Sequence, residues 1–292
     1  MEIHGAVILF GFSGLFGKLV LLPAPIIVLG RVFFSAIALL VIIQLFDAGS
    51  APRGKRSFAA LTLLGLVLSL HWTSFFKSVQ VSTVAIALLS CSTFPVFTAF
   101  LEPLFSRQRI RAVEIMIALV AFSGVGIVVF HPSNGSGTTE GVIWGVVAGF
   151  TFAILSVLNR KFVRQYSSLH IACFQHVVAT ICLFPLLFAY RVEIRLKDTI
   201  LLFLLGVLCT ALAHSLFING MRHVSTRIAS VIHCLEPPYG IALAALILGE
   251  TPSLRTIVGG VIILGSALYA TIRLRSEHPS QLKNQSPSPT IS

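Results

Sequence analysis

The sequence predicts an all-α integral membrane protein, with ten transmembrane helices arranged as two inverted five-helix repeats around a central cavity. Three observations lead there. First, the 292 residues are 56% hydrophobic and 11% charged, with a mean hydropathy of +0.94. A soluble domain carries about 25% charged residues, so this chain cannot cover a soluble surface. Second, the apolar residues fall into ten runs of about 20, the length that crosses a hydrocarbon layer about 30 Å thick. Third, the second half echoes the first at one offset. A shift of 143 positions takes His71 to His214, Val81-Ser82-Thr83 to Val224-Ser225-Thr226, Cys91 to Cys234 and Pro95 to Pro238. Five spans per half is an odd number, so the second copy crosses the opposite way. An inverted repeat of this kind places solute sites at the midplane between halves.

The spans of the first half lie at roughly 3–22, 26–46, 58–77, 82–105 and 112–130, each near the length of one crossing. The first follows no basic segment, so MEIHGAVILFGF reads as the start of a span and not as a cleaved leader. It carries Lys18 close to its outer end, and the second carries Arg31 about two turns in. Each cation either snorkels to the interface or reaches the cavity. The third holds His71 and Trp72. The fourth starts at the N-cap pair Ser82/Thr83 and carries Ser90, Thr93 and Pro95.

The second half has spans at roughly 141–159, 168–190, 199–221, 226–249 and 256–274. Gly141, Gly145 and Gly149 line one side of the sixth, a small-residue stripe for close helix packing. Phe152, Ser156 and Asn159 continue that side, and Trp144 suits an interfacial anchor. The seventh places Gln175 and His176 about where Arg31 stands in the first half, and the eighth holds His214. The ninth starts at Ser225/Thr226 and contains SVIHCLEPPYG. Residues 1–135 thus form the first repeat and 136–275 the second; 276–292, polar and proline-containing, read as a disordered cytoplasmic tail.

Basic residues set the orientation. With the N-terminus inside, the inner segments hold Arg53, Lys55, Arg56, Arg107, Arg109, Arg111, Arg160, Lys161, Arg164, Arg222, Arg227, Arg273, Arg275 and Lys283. The outer segments hold only Lys77, Arg191, Arg195, Lys197 and Arg255. The excess places both termini in the cytoplasm of a cell inner (plasma) membrane. The net charge of +11 is therefore spread as topology signals and not as a nucleic-acid face. The five cysteines lie inside apolar segments without a CxxC and read as small apolar residues. No HExxH, GxSxG or Walker loop is present. The reading is a non-enzyme without metal or cofactor, whose partners are a small-molecule substrate and the lipid bilayer, with a homo-oligomer open.

Glu236 is the sharpest candidate. It lies about ten residues, roughly 15 Å, into the ninth span, near the bilayer midplane. A charge there costs about 2.5–3.5 kcal/mol on insertion scales, so it faces a cavity or a partner. Pro237 and Pro238, like Pro95 in the fourth span, remove backbone donors and kink the helix. Thr226, Ser230, His233, Pro237 and Gly240 share one face, with Glu236 at its edge. At the 143-residue offset, Ser90 and Thr93 stand where His233 and Glu236 stand, so the site is titratable on one side and hydroxyl-bearing on the other. The cavity candidates are Glu236, His233, Arg31, Ser90, Thr93, His71 and His214, with Pro95, Pro237 and Pro238 as kinks. Two uses of Glu236 stay open: a cavity carboxylate able to carry a proton, or a partner of Arg31 or a histidine that only fixes packing. Arg31 and Lys18 together would suit a carboxylate-bearing solute.

Two strings carry a resemblance. LHWTSFFKSVQVSTVAIALLSCSTFPVFTAFLEPLF (70–105) and LCTALAHSLFINGMRHVSTRIASVIHCLEPPYGIALAALILGETPSLRTIVGGVIILG (208–265) resemble the third-to-fourth and eighth-to-tenth spans of EamA-type permeases. The resemblance to that family of the drug/metabolite transporter superfamily covers residues 1–275. It includes the acidic residue after the ninth span, Glu250, although its offset mate is Arg107, where the family often has a glutamate. The resemblance implies a secondary transporter that exports or facilitates movement of small metabolites such as amino acids or organic ions, by alternating access and with proton coupling common. The rival expectation is a non-transporting scaffold or complex subunit.

Overall fold

Long runs of Leu, Ile, Val, Ala and Phe offer the backbone no polar partner outside its own segment, which leaves the helix as the spanning structure. The computed structural model describes residues 2–46, 50–52, 54–106, 112–129, 137–224, 229 and 232–276, and no strand occurs among them. The helices are α1 (Glu2–Leu19), α2 (Ala24–Phe46), α3 (Lys55–Val81), α4 (Val84–Cys91), α5 (Phe94–Ser106), α6 (Ala112–Val129), α7 (Gly137–Val163), α8 (Ser168–Tyr190) and α9 (Leu196–Gly206). A π-helical segment, Val207–Leu212, joins α9 to α10 (Ala213–His223); α11 (Glu236–Leu248) and α12 (Leu254–Ser276) follow. Among the described residues seven stretches are long and apolar enough to cross a membrane: α1, α2, α3, Val84–Leu101, Thr138–Val163, α8 and Leu196–His223. The apolar stretches Ile115–Val128, Glu236–Leu248 and Leu254–Ser266 are shorter.

The fourth and ninth spans are interrupted, not kinked. α4 ends at Cys91, and α5 begins at Phe94 with Pro95 in its first turn. Helical residues Ile232 and His233 are followed by the turn Cys234–Leu235, and α11 begins at Glu236 with its prolines in the first turn. Proline at a helix start loses no hydrogen bond and is pre-set for helical φ, so each proline marks the beginning of a new helix. Thr93 helps seal the first break, its hydroxyl donating to the Ser90 carbonyl at 2.8 Å. Thr83 is the N-cap of α4, its hydroxyl accepting from the Ile86 N–H at 3.2 Å. The expected partner caps Ser225 and Thr226 lie outside the described residues, as do Ser230, Arg107 and the tail from 277 onward.

α3 packs on α7 and α8, α2 on α8, α1 on α10 and α11, and α6 on α12. The small-residue stripe of α7 meets α4 directly. A Cβ on Gly145 would lie 2.5 Å from the Ser90 Cβ, and one on Gly149 would lie 2.7 Å from the Cys91 carbonyl oxygen. The latter neighbour is backbone and cannot swing aside. Gly149→Val is therefore expected to lower stability by roughly 1–3 kcal/mol, seen as a lower unfolding temperature in detergent, whereas Gly265→Ala, with open space around it, perturbs no packing.

One end of the bundle is tied by charge. The Lys18 ammonium donates to the Ser82 carbonyl at 2.6 Å and lies 3.8 Å from Glu250. Glu250 also accepts the Val84 N–H at 2.9 Å, which places a carboxylate on the N-terminus of α4. Lys18 is thus neither snorkelling freely nor part of the cavity. Glu250→Ala removes the acceptor and the ion-pair partner together. It is expected to destabilise by about 1 kcal/mol, while Glu250→Gln, which keeps an acceptor for Val84, avoids most of that loss; chemical unfolding in detergent measures both.

Candidate functional site

Residues of α1, α2, α3, α7 and α10 and of the two interrupted helices surround one buried chamber. Phe10, Ser13, Arg31, Leu68, His71, Trp72, Phe75, Cys91, Phe152, His214, His233 and Glu236 line it. Its volume is about 30 Å³, room for about one or two water molecules, whereas pockets for drug-sized ligands run to roughly 300–1,000 Å³. This conformation is closed around its polar groups.

Arg31 is the charged centre. It is 1% exposed, and no carboxylate pairs with it among the described residues. Its Nε donates to the Thr210 hydroxyl at 2.9 Å, while Nη1 to Ser13 Oγ (3.5 Å) and Nη2 to the Cys209 carbonyl (3.4 Å) are long. The guanidinium carbon stands 4.1 Å from the centre of the Trp72 ring and 5.2 Å from that of Phe76. These aromatic faces stabilise a cation that burial otherwise penalises. Of the two open readings for Arg31, the structure selects the cavity.

Glu236 forms the opposite pole. His233 Nε2 donates to Glu236 Oε2 at 2.8 Å, and the carboxylate sits on the N-terminal turn of α11, where the helix dipole favours it. Phe10, Phe94, Phe152 and Phe217, from four helices, enclose the His233 ring at centroid distances of 5.7, 4.8, 4.6 and 5.5 Å. Glu236 therefore has both a histidine partner and a place in the cavity wall; the two readings of it are not exclusive.

Of the other histidines here, His71 bonds a backbone carbonyl and His176 and His214 bond each other. His71 Nδ1 donates to the Ala148 carbonyl at 2.9 Å, which leaves Nε2 of the neutral ring as an acceptor. His176 bridges the Ser35 hydroxyl (2.7 Å from Nδ1) and His214 Nδ1 (2.9 Å from Nε2). Trp72 packs against both rings with centroids 5.5 Å away.

Two candidates fall elsewhere. Ser90 and Thr93 are buried, at 2% and 0% exposure, against the glycine stripe of α7 and are absent from the chamber wall. Ser90, within α4, packs on Gly145 of α7, the Thr93 hydroxyl donates to the Ser90 carbonyl at the break, and Cys91 lines the chamber instead. Thr210, Ser13 and Phe152 belong to the site although the sequence did not single them out as cavity residues. Thr210 and His214, four apart and so on one helix face, were the available signal. Ser156 is buried but does not line the chamber. Among the described residues no three of His, Cys, Asp and Glu gather as a metal site.

A closed chamber with opposed charges, walled by broken helices in an apolar bundle, has the form of a solute carrier. The EamA-like transporter family matches residues 3–130 and again 139–272. The chain belongs to that family, within the drug/metabolite transporter superfamily, and is a multi-pass membrane transporter and not an enzyme. This displaces the scaffold reading. The chain is 26% identical to an S-adenosylmethionine uptake transporter of Rickettsia bellii (strain RML369-C), across 82% of this chain and 80% of that one. It is 25% identical to an uncharacterised transporter of Bacillus subtilis (strain 168), across 75% and 71%. A similar match, 27% identical across 82% and 84%, is to an uncharacterised transporter of Archaeoglobus fulgidus. A solved crystal structure shares the fold at a TM-score of 0.69 and 14% identity, covering 96% of this chain and 98% of that one.

Proposed function

We propose that this chain is a secondary transporter of small carboxylate-bearing metabolites of the amino-acid type, working by alternating access between two inverted five-span halves. The observation that carries the reading is Arg31: a fully buried cation, facing the chamber, with no carboxylate partner among the described residues. Such a charge is a standing site for an anionic group. Glu236 and the His71 Nε2 acceptor, in the same wall, suit the ammonium of the same solute.

The two family matches, one per half, support dividing the chain into repeats at 1–135 and 136–275. The interruptions after Cys91 and after His233 support it too, because they fall at nearly corresponding positions. The three shorter apolar stretches would complete ten spans. The distribution of Lys and Arg supports cytoplasmic termini in a bacterial-type inner membrane. Pro95, Pro237 and Pro238 would serve as fixed starts for half-helices that rock as units. Export, implied by the family resemblance, stands beside relatives named for uptake, so the decisive assay is one indifferent to direction.

That assay is counterflow into liposomes holding the purified protein, with labelled amino acids, S-adenosylmethionine, organic anions and organic amines. Exchange of carboxylate-bearing solutes is expected, with amines lacking a carboxylate excluded. Exchange of the amines instead would overturn the reading.

A further inference from the structure

Thr210 lies in the only π-helical segment among the described residues, Val207–Leu212. π-turns leave the regular ladder and recur at functional sites. Here the departure is visible in the side chain: the Thr210 hydroxyl donates to the Leu205 carbonyl, five residues back, at 2.7 Å. That proton is then committed, and the hydroxyl lone pairs face outward from the helix. One of them takes the Arg31 Nε–H at 2.9 Å. The next carbonyl on the segment, that of Cys209, lies 3.4 Å from Nη2. Just upstream, Gly206 lets α9 settle onto α2 at the root of the arginine: a Cβ there would lie 2.8 Å from the Arg31 carbonyl oxygen and 3.3 Å from the Ser35 nitrogen. The segment is thus clamped to the backbone of α2 and reaches around to hold its side chain.

We infer that Thr210 is the positioning residue for Arg31, and that through it the π-helical segment sets the transporter's preference for carboxylate solutes. The inference rests on the transport reading above. A guanidinium has five donors in one rigid plane. Fixing Nε by a short bond fixes that plane. The two Nη groups, whose only partners are long, then form a fork turned to the chamber and matched to a carboxylate. Without the Thr210 hydroxyl the charge remains but the fork's orientation is lost. Trp72 would still hold the cation, since stacking on a ring restrains its distance more than its in-plane rotation.

The test compares Thr210→Val, which keeps shape and removes the hydroxyl, with Thr210→Ser, which keeps the hydroxyl. Two readings are taken on each full-length protein. The first is the ¹H–¹⁵N resonance of the Arg31 Nε–H in detergent micelles, assigned with Arg31→Lys. The second is the KM and maximal rate of liposome exchange for S-adenosylmethionine and the panel amino acids, beside the corresponding decarboxylated amines. The expected result is a slowly exchanging Arg31 resonance in wild type and Thr210→Ser that is lost in Thr210→Val. KM for carboxylate solutes rises about tenfold in Thr210→Val at a near-constant maximal rate, the discrimination against amines falls, and Thr210→Ser restores both. An Arg31 resonance unchanged in Thr210→Val, or a loss shared equally by all solutes, overturns the inference. Should Thr210→Val not fold, Thr210→Cys gives the same two readings with a weak acceptor in place. Wild-type protein that exchanges no member of the panel overturns the transport reading itself, and the selectivity role with it. In that case the resonance still reports separately whether Thr210 holds Arg31.

Discussion

Arg31→Met is expected to reduce exchange of carboxylate solutes at least about 100-fold while raising the protein's unfolding temperature. The two effects share one cause. Arg31 is 1% exposed and has no carboxylate in direct contact among the described residues, so the empty protein bears a desolvation cost that Thr210 and the Trp72 face offset only in part. Methionine fills much of the same volume without it, and neutral replacements of buried charges are often stabilising by about 1–4 kcal/mol. Transport moves the other way. Removing one partner of a buried, hydrogen-bonded charge pair costs about 2–5 kcal/mol of binding, and about 2.7 kcal/mol corresponds to 100-fold. Arg31→Lys separates charge from shape: it keeps the cation but not the fork and should fall between methionine and wild type. Counterflow and thermal unfolding on the same preparations measure both halves. A methionine variant that loses both transport and stability would reassign Arg31 to packing.

Glu236→Gln is expected to uncouple solute exchange from a pH gradient without unfolding the protein. Glutamine is nearly isosteric and keeps an oxygen where Oε2 accepts the His233 Nε2–H at 2.8 Å. The geometry at the start of α11 therefore survives, and only the charge and the titratable oxygen are lost. In wild type, an imposed pH gradient should drive accumulation of a carried solute; in the variant, exchange should continue and the gradient should do nothing. Identical pH responses in both proteins would leave Glu236 as the partner that orients His233 inside its phenylalanine box. Charge removal at this position costs little in stability, because the helix dipole that favours a carboxylate there contributes about 0.3–1 kcal/mol.

The helices were legible because the bilayer leaves so few options: a long apolar run without polar backbone partners becomes a helix. Arg31, His71, His214, His233 and Glu236, which line the chamber, were legible as candidates for a related reason. Polar groups inside a span are costly, so each one present points to a partner or a cavity. Ser90 and Thr93 misled because the 143-residue offset sets them opposite His233 and Glu236, whereas here Ser90 packs on α7 and the Thr93 hydroxyl is taken by the Ser90 carbonyl. Past the break after Cys91, spacing no longer tells which way a side chain faces. Thr210 escaped notice since a hydroxyl satisfies itself on a nearby carbonyl, which makes an intramembrane threonine unremarkable. Its role depends on a π-turn, and no residue in VLCTAL announces one. The His176–His214 contact joins two spans whose relative rotation the sequence does not encode locally.

The chamber wall carries one guanidinium and one carboxylate. The guanidinium and an ionised Glu236 carboxylate balance each other when the chamber is empty. A zwitterion entering it leaves that balance untouched, so neither the outward nor the return movement of the carrier works against the membrane voltage. A simple anion or a simple amine breaks the balance, and one half of its cycle then gains or loses about 2.3 kcal/mol per 100 mV for each elementary charge moved across the full potential. For the proposed amino-acid-type solutes, opposed poles in one closed compartment would make exchange without a proton indifferent to the cell's electrical gradient, and only a cycle in which Glu236 carries a proton would draw on it.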